Sequence, residues 1–144
     1  MKSTFFFLCM TLMYWMAPTQ SQAQQSDYEQ VVKVLEDYMI GGTERDAKRV
    51  ASAFHTEAQM KFIRQGNYQA PNAATFFREG IKPGPKVERK CEIALLDISG
   101  HAAMAKLRLI YADKIFNDYM TLLKINGRWQ IVNKSFYLEM VNDH

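Results

Sequence analysis

Phe116-Asn117-Asp118-Tyr119-Met120-Thr121-Leu122-Leu123-Lys124-Ile125, then Asn126-Gly127, then Arg128-Trp129-Gln130-Ile131-Val132-Asn133-Lys134-Ser135-Phe136-Tyr137 reads as two β-rich runs joined by a two-residue turn. Asn-Gly suits a type I′ turn because both of its central positions need φ > 0. Counting outward from the turn pairs Ile125 with Arg128, Lys124 with Trp129, Leu122 with Ile131, Met120 with Asn133, Asp118 with Ser135 and Phe116 with Tyr137. Alternate pairs share a face. One face then holds Phe116, Met120, Leu122, Ile131 and Tyr137 with Asp118, Asn133 and Ser135 set among them. The other holds Tyr119 opposite Lys134, with Leu123, Val132 and Phe136. A carboxylate at an apolar parity is costly to bury alone, so Asp118 is partnered, protonated or turned toward a cavity.

The chain opens with a targeting pattern. Lys2 supplies a positive start, Phe5 to Met16 an apolar run, and Ser21-Gln22-Ala23 a small-x-small site, which predicts a signal peptide over 1–23 cut after Ala23 and a secreted or periplasmic protein. The run falls short of the roughly 20 apolar residues that span a bilayer, and no other segment approaches that length, so no membrane role beyond export is expected. The remaining residues 24–144 have the length of one domain with a core of its own. The formal net charge is +3 and falls to +2 without Lys2; with no basic stripe, this argues against nucleic acid as partner. Cys91 is the one cysteine after the leader, so export requires no internal disulfide, and in an alternating strand it reads as a small buried hydrophobe.

Ser26-Asp27-Tyr28-Glu29 has capping-box spacing and predicts a helix start, followed by Val31, Val34, Leu35 and Tyr38 at helical period, with Gly41-Gly42 as its end. Thr43 is expected to open a second short helix with Asp46 in its first turn and Ala47, Val50, Ala51 and Phe54 on one stripe. Ala58 to Ile63 and Tyr68 to Ala70 read as short strands around Gln65-Gly66-Asn67. Pro71-Asn72 introduces a third helix, Lys82 to Pro85 a rigid loop, and Val87 to Ile98 and Ala102 to Tyr111 two more strands. Helices followed by an antiparallel meander is an α+β plan.

That order resembles the nuclear transport factor 2-like (NTF2-like) fold, a cone of N-terminal helices packed in a curved antiparallel sheet. At finer grain, Tyr38 with Gly41-Gly42, Ala53-Phe54-His55 with Ala58, Gly100 with Ala102-Ala103 and Ala105, and Asp118-Tyr119 with Leu122, Lys124, Gly127-Arg128-Trp129 and Ile131 to Lys134 resemble the Putative lumazine-binding family of that superfamily. SnoaL-like and ketosteroid isomerase-like proteins are its relatives. Because the superfamily hosts isomerases, dehydratases, cyclases and binding modules, the likeness implies a scaffold and no single chemistry. It also implies a homodimer through the outer sheet face.

Resemblance to the steroid isomerases implies that Asp118 and Tyr38 occupy positions from which two neutral hydroxyl donors face a developing oxyanion. The general base of those enzymes would fall in the strand after His55, where this chain reads Gln59-Met60-Lys61-Phe62-Ile63 without a carboxylate. His55 has the titration range of an acid/base, but directly after a helix it also suits the last helical carbonyls. The three histidines lack ligand spacing and Cys91 lacks a partner cysteine, so neither metal nor cofactor is expected.

The reading that follows is an exported protein that binds a small apolar or aromatic molecule inside the cone. Its expected ligand-binding residues are Tyr38, His55, Phe62, Asp118, Met120, Trp129, Asn133 and Ser135. The alternatives are an isomerase or dehydratase with His55 as base and Tyr38 and Asp118 as donors, or an interaction module with a filled cone, which a cavity smaller than roughly 300 Å³ would favour. Asp118→Asn is expected to spare folding and abolish binding.

Overall fold

A computed structural model describes residues 20–141; the leader's apolar run and His144 lie outside the described residues. Three helices, α1 (Gln20–Glu44), α2 (Ala47–Ser52) and α3 (Ala73–Gly80), pack on a sheet of β1 (Phe54–Arg64), β2 (Asn67–Gln69), β3 (Lys90–Ser99), β4 (Ala102–Ile110), β5 (Lys114–Ile125) and β6 (Arg128–Met140). The sheet order is β2-β1-β6-β5-β4-β3, curved and unclosed. All neighbours are antiparallel except β1, which runs parallel to β6. This is the expected α+β NTF2-like cone.

The hairpin forms at the expected turn, with Asn126 at φ 50° and Gly127 at φ 78° and Ile125 opposite Arg128. Its register departs from the simple count beyond Leu122↔Ile131, because Val132 bulges and Thr121 pairs with Asn133. A bulge sets two residues against one and resets the alternation beyond it. Asp118 therefore faces Phe136, Met120 faces Lys134, and Tyr119 faces Ser135. Lys134 and Phe136, expected outside, turn inward; Asn133 and Ser135, expected inside, turn outward.

Helix α1 does not stop at Gly41-Gly42. It continues to Glu44, where Arg45 adopts a left-handed φ of 59° and the Asp46 amide bonds the Gly41 carbonyl at 2.8 Å, the 6→1 closure of a Schellman motif. Gly41 serves packing instead: a Cβ there would meet Val50 Cγ2 of α2 at 2.9 Å. Nor does Ser26 cap the helix, which already runs from Gln20; its hydroxyl accepts from Gln30 Nε2. Asp46 and Asn72 cap α2 and α3, accepting from the Arg49 and Thr75 amides. The buried stripe of α1, Val31, Leu35 and Tyr38, packs into a core with Leu107, Leu122 and Ile131, each such aliphatic side chain contributing about 1.5–3 kcal/mol on burial. Cys91 is partly buried against this core.

Candidate functional site

Asp118 is wholly buried at the centre of the cone and holds two partners. Its Oδ2 accepts from the Tyr38 hydroxyl at 2.6 Å, and its Oδ1 accepts from Lys134 Nζ in an ion pair. Of the three ways to hold an inward carboxylate, this chain uses partners. The Lys134 ammonium also lies 4.4 Å from the Phe136 ring centroid and 5.7 Å from that of Tyr38, distances at which a cation is attracted to the ring face. Burial first, then the charge and hydrogen bond of Asp118, push the Tyr38 hydroxyl well above its ordinary 10.0. For Lys134, burial pulls the ammonium below its ordinary 10.5, while Asp118 pulls the other way.

Above this pair opens a cavity of about 550 Å³. Aromatic rings form much of its wall, Phe62 from β1, Phe76 and Phe77 from α3, Phe116 from β5 and Phe136 from β6, while Tyr38 and Lys134 reach it from below. The rings pack on one another: Phe62 lies 4.9 Å from Phe136, and Phe77 lies 5.6 Å from Tyr38, centroid to centroid. Arg89 and Tyr111 complete one side, with Arg89 Nη1 donating to the Tyr111 hydroxyl at 2.7 Å.

Tyr38 and Phe62 line this cavity, and Asp118, absent from the lining, accepts from the Tyr38 hydroxyl. Met120 is buried in the core. Asn133 and Ser135 leave the group because of the bulge; the Asn133 Oδ1 is buried with no hydrogen-bond partner among the described residues. His55 lies in β1 with its Nδ1 accepting from the Glu57 amide at 3.2 Å, outside the cavity lining, so the base of the enzymatic alternative is not in place. Trp129 lines a second hollow of about 400 Å³ beside α1; its Nε1 and Lys124 Nζ both donate to Asp27 Oδ1, at 3.0 and 2.6 Å. These bonds, Lys124 first, hold the Asp27 carboxyl below its ordinary 3.8 against the opposing effect of burial.

Sequence reasoning missed Lys134 and Arg89. The signal available for Lys134 was Asp118 itself, since an inward carboxylate needs a counter-charge. Chemically, the Tyr38 hydroxyl spends its one hydrogen on Asp118, whereas Lys134 has three donors and gives one to Asp118. Lys134 is thus the group at the cavity base with hydrogens to offer.

The model of the family described as Putative lumazine-binding matches residues 26–137 of this chain. Among curated proteins, Aldolase FrzH of Cladobotryum sp is 19% identical over 114 residues, covering 78% of this chain and 91% of its own. Among solved structures, an NTF2-like protein of unknown function from Shewanella baltica OS155 is 27% identical with a TM-score of 0.69, over 80% of this chain and 95% of its own. Another, from Silicibacter pomeroyi DSS-3, is 19% identical with a TM-score of 0.71, over 81% and 98%, a likeness of fold.

Proposed function

We infer that this chain, which belongs to the Putative lumazine-binding family of the NTF2-like superfamily, holds a small, mostly apolar or aromatic molecule inside its cone. The observation that carries this reading is the 550 Å³ cavity walled by aromatic side chains with Lys134 at its base. A concave, largely apolar site with few convergent polar groups is the ordinary form of a small-molecule pocket, and its volume lies within the usual 300–1,000 Å³. A wall of T-shaped and tilted rings offers faces and edges to a flat, aromatic guest. The test is native mass spectrometry of protein purified without denaturation, followed by identification of anything released. A mass increment lost in a Phe62→Trp variant, whose larger ring intrudes on the cavity, supports the reading. No increment, and no thermal shift with any flat aromatic compound across a chemically diverse set, refutes it.

A second reading, catalysis in the same cavity, is favoured by one arrangement. Lys134 can present an N–H to a carbonyl oxygen while Asp118 and Tyr38 hold its charge in place, and a relative at low identity is named an aldolase. Turnover of a carbonyl compound that disappears in Lys134→Met and persists in His55→Ala would support it.

Two further proposals complete the functional picture. Export rests on the pattern over 1–23, and N-terminal sequencing of the mature protein, expected to begin at Gln24, tests it. Homodimer formation rests on the outer sheet face, where Met104, Tyr119 and Leu123 are exposed. Sedimentation of wild type against Tyr119→Glu tests that; a wild-type monomer refutes it.

A further inference from the structure

The charged groups around the cavity do not balance. Among the described residues, its wall carries Arg64, Arg89 and Lys134 and no carboxylate. Asp118, beneath it, is already committed to Lys134 and Tyr38. Arg64 and Arg89 make no ion pair with a carboxylate among the described residues, whereas the partly buried Arg49 and Arg108 both do. An exposed arginine such as Arg64 at the rim needs no counter-ion, but Arg89 is only partly exposed, and a cation drawn out of water is costly without one.

Arg89 is held rigidly. Its Nε donates to Thr43 Oγ1 at 3.0 Å, its Nη1 to the Tyr111 hydroxyl at 2.7 Å, and its Nη2 to the Met39 carbonyl at 2.8 Å. Gly42 leaves room for it, since a Cβ there would meet Nη2 at 2.4 Å. A guanidinium has five N–H donors in a planar fork. Three bonds leave one hydrogen on each terminal nitrogen to offer an anionic acceptor. The Tyr111 hydroxyl accepts from Arg89, so its own hydrogen is also free to donate.

We propose that the cavity selects a molecule bearing a carboxylate, seated on Arg89 and the Tyr111 hydroxyl, with its flat apolar body against Phe62, Phe77, Phe116 and Phe136. This rests on the binding function inferred above and names the class of ligand. The neutral alternative, an uncharged aromatic guest, would leave Arg89 without a counter-charge.

The probes are 2-naphthoate and its uncharged isostere 2-naphthamide, measured by calorimetry on the folded domain at neutral pH and low salt. Naphthoate is expected to bind at least about tenfold more tightly, the factor set by exchanging a neutral for a charge-assisted contact. Arg89→Gln should bring the ratio near one. Because Arg89 also fastens α1, the wild type supplies an independent readout: the Arg89 Nε–H resonance should shift with naphthoate and stay with naphthamide. Equal affinities in the wild type overturn the carboxylate assignment and leave the binding function standing. Binding of neither probe overturns the carboxylate assignment, and the binding function is then decided by the mass-spectrometric test above. A preference that survives in folded Arg89→Gln, or an unmoved Nε–H resonance, overturns the role of Arg89.

Discussion

Asp118→Asn probes the interior most directly, and the structure revises what sequence alone expects of it. The carboxylate is wholly buried and Lys134 is 3% exposed, so the amide leaves an ammonium without a counter-charge in the core. Breaking one side of a buried ion pair costs about 3–5 kcal/mol. The Tyr38 bond passes from a charged to a neutral acceptor and weakens by roughly a further 1 kcal/mol. Lys134 can lower the total by releasing its proton, so the loss should sit near the low end, about 3 kcal/mol, a Tm drop of roughly 10–15 °C for a domain of this length. The assay is urea unfolding followed by the fluorescence of buried Trp129, with Asp118→Leu/Lys134→Met in parallel. Removing both charges should recover most of the stability, because desolvation of the pair offsets much of its attraction. A single variant within 1 kcal/mol of wild type, or a double variant no more stable than the single, would refute the reasoning.

Gly41→Ala would gain about 1 kcal/mol in an isolated helix, yet here the new Cβ meets Val50 Cγ2 at 2.9 Å and the Val50 amide nitrogen at 3.1 Å. The overpacking cost of roughly 1–3 kcal/mol should win, and a raised Tm would contradict it. Asp27→Asn should cost about 1–2 kcal/mol at neutral pH through weaker bonds to Lys124 and Trp129. Since the folded Asp27 carboxyl lies below 3.8, its contribution is present above 3.8 and lost as pH falls through the folded value; chemical denaturation along an acid series should show the two proteins converging. Tyr38 works in the alkaline range: its hydroxyl is raised well above 10.0, so its stability is full below 10.0 and is lost as pH climbs toward the folded value, at up to about 1.4 kcal/mol per pH unit. Tyr38→Phe should remove that alkaline slope, and an unchanged slope would place the titration elsewhere.

The outline of the fold was legible because its signals are local. Asn126-Gly127 encodes a turn in two residues and Asn72 a helix start through its own side chain, whereas α2 starts at Asp46 and not at Thr43, which lies in the last turn of α1. The site was legible in part. Phe62 and Tyr38 follow from strand and helix period, and Asp118 from parity, but each partner of Asp118 comes from a distant element or a shifted register. Val132 bulges between Ile131 and Asn133, and nothing in the residue types around it marks this β-branched residue as surplus. Arg89, flanked by Glu88 and Lys90, has the appearance of a solvated charge. Its partners are a carbonyl and hydroxyls 50, 46 and 22 positions away, which only the closed chain assembles. Gly41-Gly42 misled for a related reason: a missing Cβ signals a helix stop by local rules and a close approach by tertiary ones.

The surplus residue in the final strand separates shape from charge. An arm one residue longer than its neighbour bends and twists more strongly there, so Val132 adds curvature to β6, while Lys134, opposite Met120, keeps to the inner face. Removing Val132 keeps every later rung matched to the same neighbour, so the acid and the amine would still meet while the vault above them flattened. Length at this one position therefore tunes how much room a guest has, independently of which groups greet it.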